Sequence, residues 1–234
     1  ANVSHELRTP LTAIRGYAEA LLDGGDDPEL RTRFLGIIER HAARMERLVT
    51  ELLRLARLDA GQEPLEPAVT NVATLLTGVK EDLGAAIAEK GHQVTVRAGA
   101  DVAAVRVDPA KVHDIVRNLV ENAVNYTPAG GVIEVSAAVD GETLVLDVVD
   151  NGPGIPSDDL GRVFERFYRV DKSRGRPGGT GLGLAIVRHL AELHRGSVAV
   201  RNRPGGGAAF EVRLAMLPPD LAPPPAFDAD DVRG

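Results

Sequence analysis

The sequence contains no cysteine and no tryptophan, and aromatic residues make up only 3% of it. Without cysteine there can be no disulfide, no thiolate metal site and no cysteine nucleophile. With so few rings, a core must be assembled from leucine, valine, isoleucine and alanine. Positive charge is not in surplus either. The net charge of −7 argues against non-specific nucleic-acid binding, which draws on a basic surface. No apolar run approaches the roughly 20 residues that a membrane-spanning helix needs, and no signal peptide is recognisable. What remains is ordinary for a folded protein: 44% hydrophobic and 26% charged residues over 234 positions, enough for one or two domains with a core.

Residues 1 to 60 carry a helical pattern. Val3, Leu7, Leu11, Ile14, Ala18 and Leu21 recur at spacings of three and four and share one face. The run Asp23-Gly24-Gly25-Asp26-Asp27-Pro28 then has the composition of a helix stop and a new start. A second stripe follows: Leu30, Phe34, Ile37, Met45, Leu48, Leu52 and Leu55, with His41 in its register. Two amphipathic helices joined by a short turn make an antiparallel hairpin, which buries one side of each helix. Residues 61–67, with two prolines and a glycine, read as a linker.

Beyond the linker the pattern becomes mixed α/β. Helices are predicted over Asn71–Glu89, with Asn71 as N-cap, over Pro109–Asn125, with Asp108 as N-cap, and over Leu182–His194. Strands are predicted at Val94–Arg97, Val105–Val107, Val132–Val139, Thr143–Val149, Ser197–Asn202 and Ala208–Leu214, with a hairpin around Asp140-Gly141. Residues 218–234 are Pro-rich and acidic, a composition expected to be disordered.

Four motifs stand in order along this frame: Ser4-His5-Glu6-Leu7-Arg8-Thr9-Pro10, Asn118-Leu119-Val120-Glu121-Asn122, Asp150-Asn151-Gly152-Pro153-Gly154, and Gly179-Thr180-Gly181-Leu182-Gly183. His5 lies off the apolar stripe begun by Val3 and Leu7, and Thr9 on its own face is polar, so His5 is expected to face solvent. Glu6 beside it can take an imidazole proton, leaving the other ring nitrogen to attack. Pro10 inside the helix should bend it near His5. Asn118 and Asn122 share a helix face, and carboxamide oxygens suit Mg²⁺, although such a pair is more commonly a cap or surface feature. Asp-Asn-Gly-Pro-Gly alone is more commonly a turn. The glycines at 178–183 precede a helix, whose N-terminus and free amides can hold phosphate. They fit neither a Rossmann fingerprint, which follows a strand, nor a Walker A loop, which continues Gly-Lys-Ser/Thr.

Together and in this order, the motifs resemble those of two-component sensor histidine kinases, over roughly residues 1 to 217. The resemblance implies a multidomain chain: an all-α helical hairpin (1–60) that forms a four-helix bundle in a homodimer, the linker, and an α/β sandwich ATP-binding domain (68–217) of the histidine kinase, gyrase and heat-shock chaperone type. It implies ATP-dependent autophosphorylation on His5 and phosphotransfer to an aspartate of a response-regulator receiver domain. Glu6 and Thr9 also fit the family's spacing for dephosphorylating that partner. Asn122 would be the Mg²⁺ ligand with Asn118 beside it, and Tyr126 would pack on the adenine. Asp150 would accept from the adenine amino group, with Gly152, Gly154 and Ile155 lining the base. Such an acceptor favours ATP over GTP.

The family often has Lys or Arg just before that tyrosine; here it is Asn125. Phe164-Glu165-Arg166-Phe167-Tyr168-Arg169, with Arg174 and Arg176, resembles the mobile ATP lid, with Arg166 or Arg169 meeting the γ-phosphate. Gly179, Thr180, Gly181, Leu182 and Gly183 would complete the phosphate cradle. Related hydrolytic ATPases carry a glutamate where Asn118 stands, and an amide cannot act as that base. A cytoplasmic piece of a bacterial inner-membrane receptor is expected, with no nucleic-acid or direct membrane contact of its own. Two other classes stay open: a docking module with a degenerate nucleotide site, and an ATPase clamp of the topoisomerase kind.

Overall fold

The computed structural model describes residues 2–23, 27–170 and 179–216. The expected acidic tail, Arg174, Arg176, Gly178 and residues 24–26 of the first turn lie outside the described residues. The chain forms two compact units, one from residues 1–62 with 165–183 and one from 63–164 with 184 onward.

In the first unit, α1 (Asn2–Leu22) and α2 (Pro28–Asp59) pack as a hairpin. Asp27 caps α2, accepting from the amides of Glu29 and Leu30, and Pro28 follows at the first helical position. Leu48, Leu55 and Leu58 of α2 are buried, and Tyr17 packs on Phe34 with ring centroids 5.2 Å apart. The α1 stripe departs from expectation at Leu11, which is 56% exposed. Leu22, Leu30, Leu35, Val49 and Leu53 are exposed as well. Two helices cannot enclose all of their apolar surface.

The second unit is a five-stranded sheet with helices packed on it. Its strands are β2 (Gln93–Ala98), β4 (Val132–Asp140), β5 (Thr143–Asp150), β6 (Ser197–Asn202) and β7 (Ala208–Ala215), in the order β2-β4-β5-β7-β6. Only the β2–β4 pair is parallel, and the connection between them runs through α5 (Pro109–Tyr126). Along β5, Leu144, Leu146, Val148 and Asp150 are buried in alternation, so one face is core. That face receives α5, with Val112, Ile115, Val116, Leu119, Val120, Ala123 and Val124 buried. α6 (Gly183–Leu193) buries Ile186, Val187 and Leu190.

Most elements fall where the periodicity places them, and three details differ. The helix expected over Asn71–Glu89 is two: α3 (Val72–Asp82) and α4 (Gly84–Glu89), breaking at Leu83. A short strand not anticipated, β1 (Ala68–Thr70), pairs antiparallel with β3 (Val105–Val107). The β4–β5 turn is Gly141-Glu142 rather than Asp140-Gly141, because Asp140 pairs with Thr143. Gly141 takes a φ of 61° there, a value that suits glycine. No helix among the described residues is long and apolar enough to cross a membrane.

Candidate active site

His5 is exposed on α1, as its position off the stripe requires. Its neighbour Glu6 is only partly exposed, and its Oε2 stands 3.5 Å from Nη2 of Arg44 on α2. Pro10 is buried inside α1 and cannot donate to the Glu6 carbonyl. One residue earlier, the Thr9 hydroxyl donates to the His5 carbonyl at 3.2 Å. This is the back-bonding common for threonine in helices, and it occupies the hydroxyl hydrogen while leaving lone pairs on Oγ1.

The same unit holds the segments on either side of the undescribed stretch. Arg166 Nη2 pairs with Asp59 at 2.6 Å. Thr180 is buried; its hydroxyl bonds the Glu51 carboxylate and accepts from the Leu182 amide. Phe167 has a φ of 62°, rare for a non-glycine residue, and its amide donates to the Gly181 carbonyl. Gly181 is itself at φ 77°, and a Cβ there would lie 3.0 Å from the Phe167 backbone. Only glycine fits so close a backbone approach. Arg169 is half-buried, with its Nε buried and unpartnered. Leu182 is fully buried, while Gly179 is exposed and Gly183 begins α6.

In the sheet unit, Asp150 ends β5 and is buried. Its Oδ1 accepts from the amides of Gly152 (2.8 Å) and Ala208 (3.2 Å). These bonds orient the carboxylate. A Cβ on Gly152 would come within 2.9 Å of that oxygen, and one on Gly207 would overlap the Asp150 carbonyl. Ile155 is gripped by Asn202, which accepts from its amide (2.8 Å) and donates to its carbonyl (2.6 Å). Gly154, at φ 75°, leaves the room that Asn202 occupies. Beside this turn the buried Thr127 hydroxyl has no partner, and its Oγ1 lies 3.5 Å from where a Gly152 Cβ would stand.

On α5, Asn118 Nδ2 donates to the Asp114 carbonyl at 2.7 Å, so its Oδ1 is the end turned outward. Asn122 lies one turn on, half-buried, and Tyr126 closes the helix 41% exposed. A cation does stand by Asn125, but it caps the helix: Lys90 Nζ donates to the carbonyls of Val124 (2.7 Å) and Asn125 (3.1 Å). That placement complements the negative end of the helix dipole. Sequence reasoning missed Asn202, Gly207, Arg203 and Thr127. The one signal in the sequence is the glycine-rich stretch 203–207 between two predicted strands.

A hairpin presenting an exposed histidine, and a mixed sheet whose end is shaped around a buried aspartate and close-set glycines, are the two parts of a histidine-kinase core. Residues 1–61 match the family described as His Kinase A (phospho-acceptor) domain, and residues 107–218 match the Histidine kinase-, DNA gyrase B-, and HSP90-like ATPase family. The chain is 42% identical to the phosphate regulon sensor protein PhoR of Pseudomonas aeruginosa, over 92% of this chain and 49% of that protein. Full-length ShkA in complex with AMPPNP aligns with a TM-score of 0.69 at 32% identity, over 93% of this chain and 46% of that one. Histidine kinase ThkA in complex with response regulator protein TrrA aligns with a TM-score of 0.78 at 25% identity, over 93% and 60%. The chain belongs to the sensor histidine kinase family. It spans about half the length of the curated relatives it matches.

Proposed function

We propose that this chain is an ATP-dependent protein histidine kinase that phosphorylates His5 and passes the phosphoryl group to an aspartate of a response-regulator receiver domain. One observation carries the reading: an exposed histidine with a carboxylate beside it shares a chain with a site built around a buried, amide-held aspartate. In the reaction a His5 ring nitrogen attacks the γ-phosphorus, the bond to the ADP oxygen breaks, and the imidazole proton passes to Glu6. ADP leaves with the bonding electrons.

Asp150 supplies the acceptor for the adenine amino group, with Gly152, Gly154 and Ile155 lining the base and Tyr126 packing on it. Gly179, Thr180, Gly181, Leu182 and Gly183 offer amides to the phosphates, and Arg166 and Arg169 offer charge to the γ-phosphate. The donor set on α5 fits a hard cation, because Asn118 turns its oxygen outward and Asn122 stands one turn away. Mg²⁺ held by Asn122 would neutralise phosphate charge.

The hairpin (1–60), linker (61–67) and ATP-binding part (68–217) are the proposed domains. The exposed leucines of the hairpin support a homodimer built as a four-helix bundle. Thr9, whose lone pairs stay available, is assigned to orienting water when the partner is dephosphorylated.

His5→Gln should abolish acid-labile label from γ-labelled ATP while ATP affinity changes by less than about twofold, since the substitution leaves every base- and phosphate-binding group in place. Labelling of the mutant at normal stoichiometry would overturn the assignment.

A further inference from the structure

Neighbouring residues on a helix point roughly 100° apart and do not face one another. Glu6 therefore gains nothing in alignment from being next to His5, and a solvated glutamate would sample many rotamers. The hairpin supplies a restraint. Arg44 reaches across from α2 and sets Nη2 3.5 Å from Glu6 Oε2, with both side chains about one-quarter exposed, at 28% and 25%. The Arg44 Nε is buried without a partner, so the guanidinium sits among the helices rather than in solvent. The pairing engages Oε2 and leaves Oε1 able to accept a proton.

We infer that Arg44 is a positioning residue for phosphorylation of His5, holding the Glu6 carboxylate aimed so that its second oxygen takes the imidazole proton. The inference rests on the kinase reading above and on Glu6 as the base. It also accounts for charge. Before transfer Arg44 and Glu6 form a neutral pair; once Glu6 accepts the proton, the cation remains beside a helix turn that has just gained an anionic phosphoryl group.

A double-mutant cycle separates this role from ordinary packing. Autophosphorylation is followed in single turnover at saturating ATP and Mg²⁺ for wild type, Glu6→Ala, Arg44→Ala and the double mutant. The KM for ATP and the melting temperature are measured alongside. Arg44→Ala should slow the first-order rate about ten- to a hundredfold, the scale of a misplaced reacting group, with KM unchanged. The double mutant should be no slower than Glu6→Ala, and Arg44→Lys should recover part of the rate.

If the two single effects multiply, Arg44 acts through structure alone and the inference fails. It fails too if Arg44→Ala keeps the wild-type rate while Glu6→Ala is slow. If Glu6→Ala itself is as fast as wild type, the base assignment has failed, and this inference with it.

Discussion

At Asn118 and Asn122 the choice of an amide over an acid fixes what the α5 face can do. A glutamate would bring a proton acceptor to the phosphates, whereas an amide brings oxygen without basicity. The Asn118 Nδ2 bond to Asp114 spends the donor end on the helix and presents the other. Asn122→Ala should then lower autophosphorylation by about two orders of magnitude, because the Mg²⁺ proposed there would carry much of the charge stabilisation. The check is the Mg²⁺ dependence of the labelling rate, and an unchanged dependence would move the metal elsewhere. Thr9 gives a subtler test. Thr9→Ala removes a hydroxyl that already bonds the His5 carbonyl, so autophosphorylation should change by less than about twofold. Dephosphorylation of a phosphorylated receiver, with ADP present, should slow about tenfold. Equal dephosphorylation rates would leave Thr9 with its helical bond alone.

Among the elements, the β6–β7 turn governs Asp150 from far along the chain. Its last glycine, Gly207, adopts φ 94°, and a Cβ there would run into the Asp150 carbonyl. Gly207→Ala should cost about 1–3 kcal/mol from backbone strain and weaken ATP binding together with stability. Calorimetry with AMPPNP and a thermal melt should move in the same direction, and unchanged affinity would show that the turn does not set the aspartate.

This element also marks where sequence reading stopped. Caps announce themselves locally: Asn71 and Asp108-Pro109 were legible, and both cap as expected. Asp150 was legible because it ends a strand inside a recognisable motif. Asn202, Arg203 and Gly207 were not, since they reach Asp150 and Ile155 only through the β5–β7 and β6–β7 pairings. β1 was hidden for a related reason. Three residues beside Pro64 and Pro67, two of them exposed, carry no alternation, and the strand exists because β3 completes it. The break at Leu83 has no proline to announce it. The Leu83 amide still reaches Val79, and its carbonyl receives Ile87, so helical bonding continues through a residue that has itself left helical geometry.

For the molecule as a whole, stability should depend on pH through a group far from the proposed chemistry. His194 is completely buried; Nδ1 donates to the Leu190 carbonyl and Nε2 has no partner. Burial, the largest influence, pulls its pKa below the usual imidazole value of 6.5, against the opposing pull of the Leu190 carbonyl and Asp108. The unfolded chain thus takes up a proton that the native state resists. Stability should fall as pH drops below 6.5, by up to about 1.4 kcal/mol per pH unit for one proton, until the native group titrates. Asp108 acts lower on the scale. Burial raises its pKa most strongly, but Lys111 and the amides of Glu66 and Lys111 outweigh that and leave it below 3.8. Its contribution is therefore intact through this range. Melting temperatures between pH 7 and 5 should decline for wild type and flatten for His194→Asn, and parallel curves would exclude His194 as the source.

The strand order carries one last consequence, for synthesis of the protein. β5 lies between β4 and β7, and β7 is the last of the described strands to be made. A nascent chain that has released β4 and β5 can close their hairpin at once. Until Ala208–Ala215 clears the ribosome, however, β5 keeps an open edge of unpaired amides and carbonyls beside Leu144, Leu146 and Val148. Such an edge is a template for pairing with other chains. The nucleotide-binding half can therefore complete its sheet only once β7 has followed β4 and β5 out, and the open edge of β5 must be shielded over that interval.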